Sequence, residues 1–137
     1  FDYKLLGGNM AERKMVPLPN THYTVELRSG RVITIDEGFE NLFGYTQADV
    51  DEGLVFKHLV PCVEYEDMVD ELREQFITHK CACYQHGVIN KDGIKIQVVS
   101  FFTIQNKLLN GHRVLEVGVA DITDIIEKRA AECCCEE

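Results

Sequence analysis

The chain lacks tryptophan, contains only three prolines among its 137 residues, and carries little positive charge. Fourteen Lys and Arg residues stand against 23 Asp and Glu residues, which gives a formal net charge of -9 at pH 7. Nucleic acids and anionic membrane surfaces require a concentrated positive face, so neither is expected as a partner. No apolar run approaches the roughly 20 residues of a membrane-spanning helix, and the first residues do not resemble a secretory signal. The sequence therefore predicts no membrane insertion.

Motifs for catalysis and metal binding are missing as well. The chain contains no Gly-rich phosphate loop, no nucleophile–base constellation and no paired carboxylates in an apolar setting, so we expect no catalysis by this chain. It has no Cys-x-x-Cys motif. The nearest approach to a ligand cluster combines His79, Cys81, Cys83 and His86. On a strand the two cysteines would lie about 7 Å apart on one face and His86 on the other, so no metal site is expected.

The spacing of the six cysteines does not predict a disulfide framework. Cys62, Cys81 and Cys83 are scattered through the middle of the chain, whereas residues 133–135 are three consecutive cysteines. Secreted disulfide scaffolds distribute their cysteines along the chain, so a reduced, cytoplasmic setting is expected. The terminal cysteines could serve a soft metal or intermolecular disulfides, but a frayed end is favoured. Because the sequence begins at Phe1, we expect a piece of a longer protein.

Apolar residues make up 45% of the chain, enough for one domain with its own core. Their alternation predicts a β-hairpin within residues 24–36. Helical spacing then predicts a short helix that ends at Gly44, two more at residues 47–52 and 55–60, and one longer amphipathic helix. The apolar face of the longer helix comprises Tyr65, Met68, Val69, Leu72 and Phe76.

The second half of the chain is predicted to form three long strands. They cover residues 81–89, 94–105 and 113–121, with an Asp-Gly turn after the first and a loop at 106–111 after the second. A final helix is expected to begin near residue 123 or 124.

These elements predict an α+β fold, with one antiparallel sheet covered on one face by helices. Val99 and Phe101 fall on the opposite side of their strand from Val98 and Phe102. A sheet that is covered on one face only needs polar groups on the other. Val99 and Phe101 are therefore expected to contact either the weakly patterned N-terminal segment, where a short helix is predicted at residues 10–15, or a second subunit.

Three stretches of the sequence resemble a PAS domain, a sensory module common in bacterial signalling proteins. Residues 35–45, Ile-Asp-Glu-Gly-Phe-Glu-Asn-Leu-Phe-Gly-Tyr, resemble the second strand and the short helix of that family. Lys91-Asp92-Gly93 resembles its turn between the third and fourth strands, and Asp121-Ile122-Thr123 resembles the exit from its last strand. The resemblance implies an N-terminal flanking arm at residues 1–23, a PAS domain at 24–123, and the start of a C-terminal signalling helix and tail at 124–137.

The resemblance also implies a five-stranded antiparallel sheet, homodimerisation through flanking helices, and control of an output domain that follows in the same chain. Diguanylate cyclases of the GGDEF type and histidine kinases are the frequent outputs. The charged segment Glu127-Lys128-Arg129 after the Asp-Ile-Thr sequence is more similar to what precedes a diguanylate cyclase than to what precedes a histidine kinase. Two other functions stay open, namely an interaction module without a small-molecule ligand and a haem-based gas or redox sensor.

Family relatives often hold a small molecule or cofactor between the helices and the sheet. The side chains expected to converge there are Phe39, Phe43, Phe56, Leu59, Met68, Leu72, Phe76, Phe102 and Val117. Such a set is more often packed core, and any ligand is expected to be small and largely apolar. Haem is disfavoured because only His79 lies at the end of the long helix, and flavin because Cys62 lacks the photoreceptor motif.

Asp121 and Thr123 are the candidates for signal transmission. An Asp or Thr before a helix accepts backbone N–H bonds, each worth about 1 kcal/mol. If strand and exit helix are rigidly joined, movement of the sheet becomes movement of the helix. The alternative is that the two residues only cap the helix.

Overall fold

A computed structural model describes residues 3–6 and 14–123, with side chains from Leu18 onward. Within these ranges no helix is both long enough and apolar enough to cross a bilayer. The predicted final helix beyond Thr123 lies outside the described residues, as does most of the helix predicted at residues 10–15. Lys14 and Met15, the last two residues of that predicted helix, lie in a strand, so the prediction is wrong at these positions.

The described residues form two antiparallel sheets. A two-stranded sheet joins β1 (Tyr3–Leu6) to β2 (Lys14–Pro17). The strands of the larger sheet are β3 (Thr21–Glu26), β4 (Val32–Ile35), β5 (Cys81–Ile89), β6 (Lys95–Leu109) and β7 (His112–Asp121). Their spatial order is β4-β3-β7-β6-β5, and every pairing is antiparallel. The predicted α+β fold with a five-stranded antiparallel sheet is confirmed.

The helices lie between β4 and β5 in the sequence. They are α1 (Glu37–Phe43), α2 (Gln47–Asp51), a 3₁₀ turn (Phe56–Leu59) and α3 (Cys62–Thr78). A side-chain hydrogen bond and a left-handed glycine determine where α1 begins and ends. The Phe39 amide donates to Asp36 Oδ1 at the start of α1, and Gly44 ends that helix at φ 79°, where a side chain would be strained.

The core lies between these helices and the inner face of the large sheet. Tyr23 of β3 packs against Phe39 and Phe43 of α1, with ring centroids 5.1 and 6.1 Å away. The two phenylalanine rings are 4.6 Å apart, and both are fully buried. Burial of aromatic surface on this scale fixes α1 against the sheet.

The largest differences from the predicted boundaries are at the start of β3 and the end of β6. Strand β3 begins at Thr21, three residues before the predicted hairpin. Strand β6 continues to Leu109, through most of the segment predicted as a loop, because its ladder resumes after a bulge between Ile104 and Leu108. The Arg113 guanidinium donates to the carbonyls of Gln105 and Asn106, both at 2.8 Å, so these two carbonyls of the bulge keep hydrogen-bond partners.

The free edge of β5 is covered by side chains of α3. The Gln75 amide nitrogen donates to the Cys83 carbonyl at 3.1 Å, and the Cys83 amide donates to Gln75 Oε1 at 3.0 Å. The Gly87 amide donates to Glu64 Oε1 at 3.3 Å. Gln75 therefore makes the pair of bonds that an additional strand would make at Cys83.

Candidate functional site

A cleft of about 260 Å³ opens between α3 and the inner face of the sheet, at the end where β3 turns toward β4. Its apolar lining combines residues of three strands, the 3₁₀ turn and α3, namely Val25, Leu27, Phe56, Tyr65, Val69, Leu72, Phe76, Phe102 and Leu115. The other lining residues are Arg28, Ser29 and Gly30 of the β3–β4 turn and Arg73 of α3. The cleft therefore has an apolar wall and a cationic component supplied from two different elements.

The side chains predicted to converge divide into two sets. Four line the cleft, namely Phe56, Leu72, Phe76 and Phe102, and all of these except Phe76 also belong to the buried core. Five are fully buried members of the core: Phe39, Phe43, Leu59, Met68 and Val117. The cleft arginines were missed by sequence reasoning, because only the fold brings the β3–β4 turn and α3 together.

Neither cleft arginine has a partner among the residues that the structure describes. Arg28 and Arg73 are exposed and take part in no ion pair or hydrogen bond there. By contrast, Arg31 donates to the Asp51 carbonyl at 3.5 Å and Arg113 donates to the carbonyl of Gln105. The two arginines of the cleft thus keep their hydrogen-bond donors available for an added group.

A buried polar pair lies on the inner face of β5 and β6, where His86 Nε2 and Ser100 Oγ are 2.7 Å apart. His86 Nδ1 lies 2.8 Å from the Gly87 carbonyl. Because that carbonyl only accepts, Nδ1 carries the proton and Nε2 accepts from the Ser100 hydroxyl. Burial lowers the pKa of His86, although the Gly87 carbonyl and the charge of Glu64 oppose this. The pair satisfies its own polar groups and lies outside the cleft lining.

We expect the free energy of unfolding to fall as the pH drops from about 7.5 to about 5.5, by at most about 1.4 kcal/mol per pH unit for this one proton. An unfolded histidine gains its proton near pH 6.5, whereas His86 resists protonation in the fold. Stability is therefore lost as the pH falls below the unfolded pKa. Urea unfolding at the two pH values measures the slope.

In His86→Gln the pH slope should shrink, whereas in His58→Gln, at an exposed histidine, it should be retained. Equal slopes in wild type and His86→Gln would contradict the assignment.

Two carboxylates have pKa values below their ordinary range. The Lys95 ammonium, 2.9 Å from Glu64 Oε2, lowers the pKa of Glu64. The Thr46 amide and then Lys91 lower the pKa of Asp49. Both carboxylates fix local structure, one at the β5 edge and one at the start of α2, and neither lines the cleft.

The exit from the sheet is held to β6 by hydrogen bonds. The Thr123 amide donates to Asp121 Oδ1 at 2.9 Å. The Ile122 amide donates to the Gln97 carbonyl at 2.9 Å, and the Gln97 amide donates to Thr123 Oγ1 at 3.3 Å. Asp121 thus orders the backbone that follows it, and Thr123 joins that backbone to β6.

The residues considered for metal binding do not converge. Cys81 and Cys83 are exposed on the outer face of β5, whereas His86 is buried on the inner face. His79 is exposed at the end of α3, with Nδ1 2.8 Å from Thr78 Oγ1. Within residues 3–6 and 14–123, no three His, Cys, Asp or Glu side chains are grouped to hold a metal ion.

The outer face of the sheet carries Val99 and Phe101, which are half-buried. Pro19, just ahead of β3, lies against this face at Gly118, where an added Cβ would be 3.1 Å from the proline ring. The chain leading into β3 therefore crosses the outer face at this point. The contact of Val99 and Phe101 with the N-terminal segment or with a second subunit stays a prediction.

No protein-family model matches the chain, and neither does any curated protein. Solved structures do match. The PAS domain of a protein from Colwellia psychrerythraea is 19% identical, with 76% of this chain and 86% of that one covered and a TM-score of 0.66. A sensory box histidine kinase/response regulator from Burkholderia thailandensis is 10% identical, with coverages of 85% and 86% and a TM-score of 0.64.

The PAS-B domain of Cycle from Drosophila melanogaster, with bound ethylene glycol, is also similar. It is 11% identical, with 74% of this chain and 98% of that chain covered, and its TM-score is 0.62. At these identities the likeness shows the fold, and the chain has the fold of PAS domains. None of the three structures is described as a diguanylate cyclase, so that part of the sequence interpretation stays a prediction.

Proposed function

We propose that this chain is a PAS sensor domain, in which a small molecule in the cleft shifts the arrangement of the segments that flank the domain. One observation supports this above the others. Strand β6 contributes Phe102 to the cleft and, nearer its start, Gln97 to the exit junction. A single strand therefore connects the ligand site to the point where the chain leaves the sheet.

The proposed signal passes through the hydrogen bonds at Gln97. A ligand between α3 and Phe102 changes the packing of β6 against α3. Because Gln97 bonds both Ile122 and Thr123, a displacement of β6 carries the exit segment with it. Packed elements with two discrete arrangements transmit such small shifts.

The remaining parts of the proposal concern the larger assembly. The domain acts as a cytoplasmic homodimer and controls an output domain in the same chain, either a histidine kinase or a diguanylate cyclase. The histidine kinase is supported by the names of similar structures, one of them a PAS domain from a two-component sensor histidine kinase. The diguanylate cyclase is supported only by the sequence after Thr123.

Removal of the junction hydroxyl in the full-length protein should change output activity at least about fivefold, within the usual range of allosteric coupling. Thr123→Val keeps the shape of the side chain and removes the bond from the Gln97 amide. Asp121→Ala should act in the same direction, because it removes the acceptor for the Thr123 amide. The measurement is output activity at matched protein concentration, with the melting temperature recorded in parallel.

The matched control is Thr103→Val, which alters a threonine of β6 whose hydroxyl donates only to Cys81 Sγ, at 3.8 Å, among the described residues. Output should be unchanged in this variant. If Thr123→Val and Asp121→Ala also leave output unchanged, the junction is only a structural cap and the proposed transmission is wrong.

A second candidate function is a protein-interaction module without a small-molecule ligand. The half-buried Val99 and Phe101 on the outer sheet face favour it, because a partner there would complete their burial. Native mass spectrometry separates the two functions. Bound mass on the purified chain supports sensing. Because a dimer is expected for both functions, the interaction module is supported by a dimer that carries no bound mass and that Phe101→Asp dissociates.

A further inference from the structure

We infer that the ligand of the cleft is a small organic acid, with its carboxylate held by Arg28 and Arg73 and its apolar part against Phe56, Phe76 and Phe102. This inference rests on the proposed function and specifies the ligand class for the same cleft. It follows from the chemistry of the lining, from the charges that are absent there, and from the elements that carry the two arginines.

The lining has two chemical parts. Nine apolar side chains contribute the wall, and three of them are phenylalanines. The charged side chains are Arg28 and Arg73 alone. A volume of about 260 Å³ is below the roughly 300–1,000 Å³ of sites for drug-sized ligands. The site therefore fits a short molecule with one apolar end and one anionic end.

The distribution of charge strengthens this assignment. The chain has 23 acidic residues and a net charge of -9, yet no Asp or Glu lines the cleft. Glu66 and Asp70 line a separate groove on the other side of Arg73, along α3. A cationic ligand would meet two arginines and no carboxylate in the cleft, whereas an anion would supply the partner that both arginines lack.

Arginine suits this task because its planar guanidinium presents paired donors that match the two oxygens of a carboxylate. Arg28 lies in the β3–β4 turn and Arg73 lies on α3. A carboxylate that contacts both would connect the turn to the helix across the mouth of the cleft. Binding would then couple to the position of α3 relative to the sheet, as the proposed function requires.

The test uses sodium octanoate as the probe and octanamide as its neutral counterpart. Titration calorimetry on the whole chain should show octanoate binding at least about tenfold more tightly than octanamide, because only the carboxylate gains charge-assisted hydrogen bonds. Arg28→Gln and Arg73→Gln should each weaken octanoate binding at least about tenfold and leave octanamide binding unchanged. Added salt should weaken octanoate binding only.

Lys107→Gln is the matched control, since it removes the same charge from an exposed position of β6 outside the cleft. It should leave octanoate affinity unchanged. Equal affinities for octanoate and octanamide, or arginine variants with unaltered octanoate affinity, would overturn the inference. Absence of octanoate binding to the wild-type chain would overturn it as well. These binding results are independent of the output activity of Thr123→Val, which tests the proposed function separately.

Discussion

Replacement of Phe39 by alanine is expected to lower the free energy of unfolding by about 3–5 kcal/mol. The ring is fully buried between Tyr23 and Phe43, with centroid distances of 5.1 and 4.6 Å. Its removal leaves a cavity where α1 meets β3, and both aromatic neighbours lose an edge or stacking contact. Since small domains are stable by only about 5–15 kcal/mol, the variant should unfold at far lower urea concentration.

Two companion variants make this result specific. Phe39→Leu conserves most of the volume and should cost less than about 1.5 kcal/mol. Phe101→Ala removes a phenylalanine from the outer face, where the ring is half-buried, and should cost clearly less than Phe39→Ala. If Phe39→Ala and Phe101→Ala shift the urea midpoint equally, the aromatic cluster does not fix α1 as the structure indicates.

Gly38→Ala should destabilise the domain by about 3 kcal/mol, although alanine is normally the better helix former by about 0.5–1 kcal/mol. Gly38 lies in α1, where the helix meets the backbone that leads into β3. A Cβ there would overlap the Asn20 carbonyl oxygen and lie 3.1 Å from Thr21 Cα. Because both obstacles are backbone atoms, the helix would have to move away from the strand. Thermal unfolding measures the effect.

Gly87→Ala serves as the control for this substitution. Its added Cβ would meet the Lys95 side chain and would lie 3.2 Å from Glu64 Oε2. Both obstacles are side-chain atoms of half-exposed groups that can move, so the cost should be smaller than in Gly38→Ala, where the obstacles are backbone atoms. A higher melting temperature in Gly38→Ala would contradict the close approach of α1 to residues 20–21.

The periodic parts of the fold could be predicted from the sequence because each leaves a local pattern. Strand β5 spans the predicted residues 81–89, and α1 ends at Gly44, where the pattern placed its stop. The sheet was predicted from the grouping of helices between strands. The extension of β6 was not, because Asn106-Lys107 and the following Asn110-Gly111 indicate a loop unless the partner strand is known to continue across a bulge.

Of the candidate site, only the apolar lining residues could be predicted from the sequence. Phe56, Leu72, Phe76 and Phe102 carry a hydrophobic signal that places them inside, but nothing local distinguishes a cleft wall from a filled core. The arginines required the tertiary contact between the β3–β4 turn and α3. The buried partner of His86 was missed for a similar reason, because Ser100 reaches it only across the β5–β6 pairing.

The bonds between Gln75 and the edge of β5 also determine how neighbouring molecules can assemble with this sheet. A strand from a second copy would have to displace an amide group that already occupies both backbone positions of Cys83. At the opposite margin, the start of β4 is engaged by residues 54–56, since Val32 donates to Leu54 and Phe56 donates to Gly30. Strand addition that would build fibres is therefore opposed at both margins, which leaves the outer face of the sheet as the surface available for association.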